Sequence, residues 1–183
     1  MLDKFELFMR QIGLWIGFVL AAAAIYGAGP FPFIEQGIRL GGAIGSAVMI
    51  TLALKPLAKE FGGDSYNRRL VLWIIDIVIL IGFIFTLFNF AEVYESLWDG
   101  VIILETPTLI VGFFGTMVII EMVRRAFGII LPIICIIMLA YAQFGDLPGI
   151  FGHRGFTFEE VVEVSWFSFS GVFGRPTDIV SSI

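Results

Sequence analysis

Two carboxylates interrupt otherwise apolar stretches of this chain, Asp76 and Glu105. A charge at membrane depth is costly and is retained where it pairs, relays a proton or holds a cation, so these are the first positions at which chemistry would show. Asp76 falls six residues into the apolar run 70–90, close to Arg69 and to one membrane boundary. Glu105 falls five residues into the run 101–120, near the opposite boundary, and Thr106 and Pro107 follow it as they would at a helix start. Carboxylates at opposite boundaries cannot share a site. The residues therefore predict boundary pairing for Asp76 and helix capping for Glu105, in preference to proton or cation handling.

The densest polar constellation is Glu121 with Arg124 and Arg125. If the fourth apolar helix continues past residue 120, Glu121 meets both arginines at i+3 and i+4, and a charged cluster forms at its end. Its plainest role is an orientation anchor with a helix terminus; a sharper one is contact with lipid phosphate or with a neighbouring domain. His153 and Arg154 occupy a later loop. One histidine without cysteine or carboxylate at ligand spacing makes no metal site. No nucleophile with a paired base and no phosphate-cradling glycine loop occurs, so neither an enzyme nor a cofactor is expected.

These residues are carried by five apolar stretches, 12–28, 38–54, 70–90, 101–120 and 126–144. About 20 helical residues cover a hydrocarbon core of about 30 Å, which the third and fourth meet and the others approach. Of 11 cations, Lys4, Arg10, Lys55, Lys59, Arg68, Arg69, Arg124 and Arg125 fall on one side of this pattern. Arg39 and Arg154 fall on the other, and Arg175 lies in the tail. The positive-inside rule then places the N-terminus in the cytoplasm and the tail outside. The segment with Glu92, Glu95 and Asp99 carries no cation, as a translocated loop would. A hydrophobic share of 58%, 20 phenylalanines and a mean hydropathy of +0.97 agree with an all-α integral membrane protein. The charge of -5 lacks a basic face for phosphate, which excludes a nucleic-acid partner. Cys135 reads as a small packing residue in the fifth stretch.

Membrane helices associate through close backbone approach. Gly13 and Gly17 in the first span and Gly41 and Gly45 in the second form small-residue stripes, expected to face each other. Further on, Thr157 and Glu160 read as a capping box. Phe158, Val162, Trp166, Phe169 and Phe173 then fall on one helical face, opposite Glu159, Glu160 and Glu163. This predicts an amphipathic helix on the outer membrane surface with Trp166 at headgroup level, or one docked on another protein helix.

From about residue 54 to 176 the order of elements carries a resemblance: a basic stretch, two long spans, then Glu121-Met-Val-Arg-Arg-Ala-Phe-Gly128, Leu131-Pro132 and Leu139-Ala-Tyr-Ala-Gln-Phe-Gly145. Leu147-Pro-Gly149, His153-Arg-Gly155 and Gly171-Val-Phe-Gly174 continue it. Together these resemble the fused membrane permeases of tripartite ATP-independent periplasmic (TRAP) transporters, in the branch that works with TAXI-type solute-binding proteins. The resemblance implies a small-subunit-like scaffold of five helices over residues 1–145, then an outer loop, an amphipathic helix and a truncated start of the large transport part over 146–183. It implies sodium-coupled organic-solute uptake across a bacterial or archaeal inner membrane, with the remaining large permease part and a periplasmic TAXI-type binding protein as partners. Arg175 and Asp178 depart from the expected pattern. The family's sodium and substrate residues would lie beyond Ile183, so none is carried over. The residues alone leave a rival open: an independent small membrane protein acting as an assembly factor or as a subunit of an unrelated transporter.

Overall fold

A computed structural model describes residues 2–27, 36–63, 65–99, 104–145, 152–168, 170–174 and 177. Among the described residues seven helices follow in chain order: α1 (Leu2–Gly27), α2 (Gln36–Leu54), α3 (Leu57–Phe61), α4 (Tyr66–Asp99), α5 (Thr106–Phe127), α6 (Ile130–Gln143) and α7 (Phe158–Trp166). The described residues form no strand.

Among the described residues three stretches are long and apolar enough to cross a bilayer: Arg39–Phe61, Tyr66–Tyr94 and Thr106–Phe127. The large apolar side chains that α4 exposes, from Leu70 to Phe88, form a belt on its outer surface. At 1.5 Å per residue that belt is about 27 Å tall, close to the thickness of a hydrocarbon core. The other two expected spans are shorter. α1 carries Lys4, Glu6 and Arg10 in its first three turns, which leaves an uncharged part of about 26 Å. α6 has 14 residues, about 21 Å.

Boundaries differ from expectation where local chemistry decides them. α4 runs to Asp99, so the acidic segment expected as a translocated loop is its last turns. Glu105, in extended conformation, is the N-cap residue of α5, with Pro107 in the first turn where its missing N–H costs nothing. α5 continues to Phe127 and stops at Gly128, whose φ of 87° suits glycine and whose N–H returns to the Arg124 carbonyl at 2.9 Å. The fifth stretch therefore begins after Gly128, not at residue 126. Cys135 is exposed on α6 rather than packed.

α1 packs on α2, α2 on α4 and α4 on α5. Cβ positions built on Gly13 and Gly17 meet Ala53 and Ile50, so the α1 stripe faces α2. The α2 glycines do not answer it: Gly45 faces Leu87 of α4, and no described atom lies within 4 Å of a Cβ at Gly41. The stripes thus serve different neighbours, because one helix wedged between two others turns different faces to each.

α7 takes the second of its two expected placements, docked on protein helices and not on the membrane surface. Its helix ends at Trp166, so it cannot carry Phe173 on the same helical face, and Phe169 lies outside the described residues. Trp166 is wholly buried, with Phe83 of α4 at 6.1 Å between ring centroids. Cβ atoms at Gly112 and Gly115 of α5 would lie 2.5 Å from the rings of Phe167 and Trp166. The chain then turns through Val172, whose N–H donates to the Ser165 carbonyl at 2.9 Å, and Phe173 stacks on Phe90 at 3.6 Å. Phe167 and Phe173 of this irregular segment are buried against the helices, and non-helical backbone in a membrane is tolerated only where protein or a cavity covers it. Trp166 is therefore a core residue and not a headgroup-level one. Leu40, Val48, Phe83, Phe90, Val162, Trp166, Phe167 and Phe173 share one core.

Candidate functional site: a charged clasp at the basic end

The clasp starts from a proline. α2 stops at Leu54, and Pro56 is held extended before α3 begins. An extended proline ends α2 and leaves the first N–H of α3 without a helical acceptor. That acceptor comes from another helix: the Leu57 N–H donates to Asp76 Oδ2 of α4 at 2.8 Å.

The second oxygen of Asp76 faces Arg125, with Nη2 to Oδ1 at 2.8 Å, and the two side chains are 0% and 2% exposed. Arg125 also donates from Nε to Glu121 Oε1 at 2.8 Å and reaches the Lys55 carbonyl at 3.4 Å. The guanidinium therefore ties α5 to α4 and to the α2–α3 bend. Arg124 makes the outer layer. It donates from Nε to Glu121 Oε2 at 2.8 Å and in a fork to Glu60 of α3 at 2.6 and 3.0 Å. Its guanidinium lies 5.5 Å from the centre of the Phe61 ring. Lys55 Nζ closes the far side by donating to the Ala126 carbonyl at 2.9 Å, where a cation complements the exposed carbonyls of a helix C-terminus.

Glu121, Arg124 and Arg125 are thus brought together at i+3 and i+4 spacing. Sequence reasoning missed the rest of the network. Asp76 pairs with Arg125 and not with Arg69, which instead reaches Glu6 of α1 at 2.5 Å. One signal was available: two arginines beside a single glutamate leave a cation uncompensated, and Asp76 was the carboxylate placed at the same boundary. Lys55 and Glu60 gave no comparable sign. Chemically the arrangement holds, because each carboxylate in it already accepts from a guanidinium or a backbone N–H.

His153 and Arg154 sit at the other end of α6. The His153 N–H donates to the Gly145 carbonyl at 2.8 Å and the Phe156 N–H to the Ala142 carbonyl at 3.0 Å. The imidazole lies between the Arg154 and Tyr141 carbonyls, at 2.7 and 3.2 Å, and edge-on to the Tyr141 ring. The loop thereby satisfies carbonyls that the end of α6 leaves unpaired. Arg154 is 85% exposed and 3.5 Å from Glu160, a pair worth little. A cavity of about 460 Å³ opens here, lined in part by Tyr141, His153, Arg154 and Glu160. Among the described residues no group of three His, Cys, Asp or Glu side chains is placed to hold a metal. Leu147, Pro148, Gly149, Arg175 and Asp178 lie outside the described residues.

The expected capping box is present in full at α7. The Thr157 N–H donates to Glu160 Oε2 at 2.7 Å, and the Glu160 N–H donates to Thr157 Oγ1 at 3.2 Å. The Thr157 backbone N–H, above all, holds the Glu160 carboxyl below the usual glutamate range. A depressed carboxylate adds stability above its unfolded pKa and loses it as pH falls through the folded one. Hydrogen exchange at the first amides of α7 should therefore quicken as pH falls below the ordinary glutamate range, after correction for intrinsic rates. Glu160→Gln should remove that added dependence; an unchanged profile would contradict the assignment.

Comparison with family models, with curated proteins and with solved structures finds no match to this chain.

Proposed function

We propose that this chain is the membrane scaffold of a TRAP-type, sodium-coupled organic-solute permease, incomplete for transport by itself. The observation that carries the reading is that Asp76, the buried carboxylate within the described spans, is consumed by Arg125 and by the α3 N–H. Its oxygens are engaged in fastening helices, whereas coupled transport needs polar groups that exchange partners at the midplane. The family in this reading rests on the resemblance of the motifs from Glu121 to Gly174.

In this reading α1 and α6 also cross, by tilting or by local thinning of the bilayer, to give five spans with a cytoplasmic N-terminus. The grouping of charges supports the orientation: Glu6 with Arg69, Glu60 with Arg124 and Lys55 with the end of α5 all meet at one end of the bundle. Cysteine labelling tests it in a Cys135→Ser background, needed because Cys135 is exposed. Glu92→Cys should react with an impermeant maleimide in intact cells, and Lys59→Cys only after permeabilisation. The opposite pattern would reverse the topology.

The functional test has two arms. Reconstituted alone with a sodium gradient and a TAXI-type binding protein, the chain should take up no solute; saturable uptake would end the scaffold reading. Purified from native membranes, it should carry a large TRAP permease subunit with it. Recovery with an unrelated transporter instead would favour the rival.

A further inference from the structure

A groove of about 390 Å³ runs between α2 and α5, with Ile44, Ala47 and Thr51 on one wall and Met122 and Ala126 on the other, and Thr177 at one end. Both walls belong to stretches long and apolar enough to cross a bilayer, so a membrane around them would bring lipid to the groove. The hydroxyls that line it donate inward: Thr51 Oγ1 to the Ala47 carbonyl at 2.8 Å and Thr177 Oγ1 to the Val172 carbonyl at 2.6 Å. A water needs two or more polar partners to stay in such a place, and the groove offers little beyond methyl and methylene groups. The group that fits it is apolar.

The charge at its mouth says more. Lys55 Nζ lies 2.9 Å from the carbonyl of Ala126, a lining residue, so the ammonium stands where the groove reaches the basic end. Arg124 and Arg125 have carboxylate partners, but the partner shown for Lys55 among the described residues is a neutral carbonyl, which leaves two of three ammonium protons to point outward. Lys59 and Arg68, exposed at the same end, add to the positive field. An apolar slot with a cation at its interfacial end complements a molecule with an aliphatic tail and an anionic head.

We propose that this groove seats one acyl chain of an anionic phospholipid, with the phosphate held by Lys55. The site depends on the membrane placement alone and not on the scaffold reading. Native mass spectrometry of the full-length protein in detergent tests it, with dioleoyl phosphatidylglycerol and dioleoyl phosphatidylcholine as probes. The wild type should retain the glycerol lipid in preference to the choline lipid. Lys55→Gln should lower that preference by about five-fold, the effect of one basic residue at an anionic surface, and Lys55→Arg should keep it. Ala47→Trp fills the groove from an exposed position and should abolish retention of both lipids while helicity and melting temperature stay unchanged. Equal retention of the two lipids by the wild type, or unaltered retention by Ala47→Trp, would overturn the proposal.

Discussion

Arg125→Ala should remove about 3–5 kcal/mol of stability, the usual consequence of leaving one member of a buried ion pair without the other. Asp76, 2% exposed, would keep only the Leu57 N–H as a partner, and Glu121 would lose one of its two arginines. Arg125→Lys should recover little, since an ammonium cannot reach Asp76, Glu121 and the Lys55 carbonyl in the planar fork that the guanidinium provides. Arg124→Ala is the contrasting case. Its side chain is 19% exposed and its partner Glu60 43%, so its loss should stay near the about 0–1 kcal/mol of surface pairs. Reversible unfolding in mixed micelles measures both. Equal effects from the two neighbouring arginines would remove the distinction between an inner and an outer layer.

Trp166→Ala should cost about 3–5 kcal/mol, as expected for emptying a fully buried aromatic site. The residue has no exposure and contacts Phe83 and Phe173 edge-on, at 6.1 and 5.0 Å. Gly115→Val approaches the same contact from the other side. Its Cβ would lie 2.5 Å from the indole, and overpacking of this kind costs about 1–3 kcal/mol. The double variant discriminates. With the indole removed, the valine has room, so the pair should be less damaging than the sum of its parts. Strict additivity would mean that α7 does not rest on Gly115.

Much of the frame was legible because its signals are local. Pro107 after Glu105, the glycine at 128 and the Thr157–Glu160 pair act within a turn or two, where residue chemistry settles conformation without help from the rest of the chain. The i+3 and i+4 spacing of Glu121 with its arginines is of the same kind. What stayed hidden depends on encounters between distant segments. The one pointer from Asp76 to residue 125 is the spare cation beside Glu121, and Arg69, closer in sequence, is the nearer partner by spacing but pairs with Glu6. The apolar face of α7 was legible, but periodicity does not say whether lipid or protein will cover it. Gly112 and Gly115, one turn apart on α5, were the available hint that a large ring would be received there. The α1 glycine stripe met α2 as expected, but that of α2 turned to Leu87 of α4, since a stripe announces a close approach without naming the neighbour.

The bend at Pro56 has a consequence for the order of assembly. The first N–H of α3 donates to Asp76, and the carbonyl of Lys55, two residues before that helix, accepts from Arg125 70 residues later in the chain. While α2 and α3 have emerged from synthesis and α4 and α5 have not, this short helix has no source for either contact. Its closure is thus deferred until α5 is in place, and protection of the 55–61 segment from proteolysis would report that α4 and α5 have joined it.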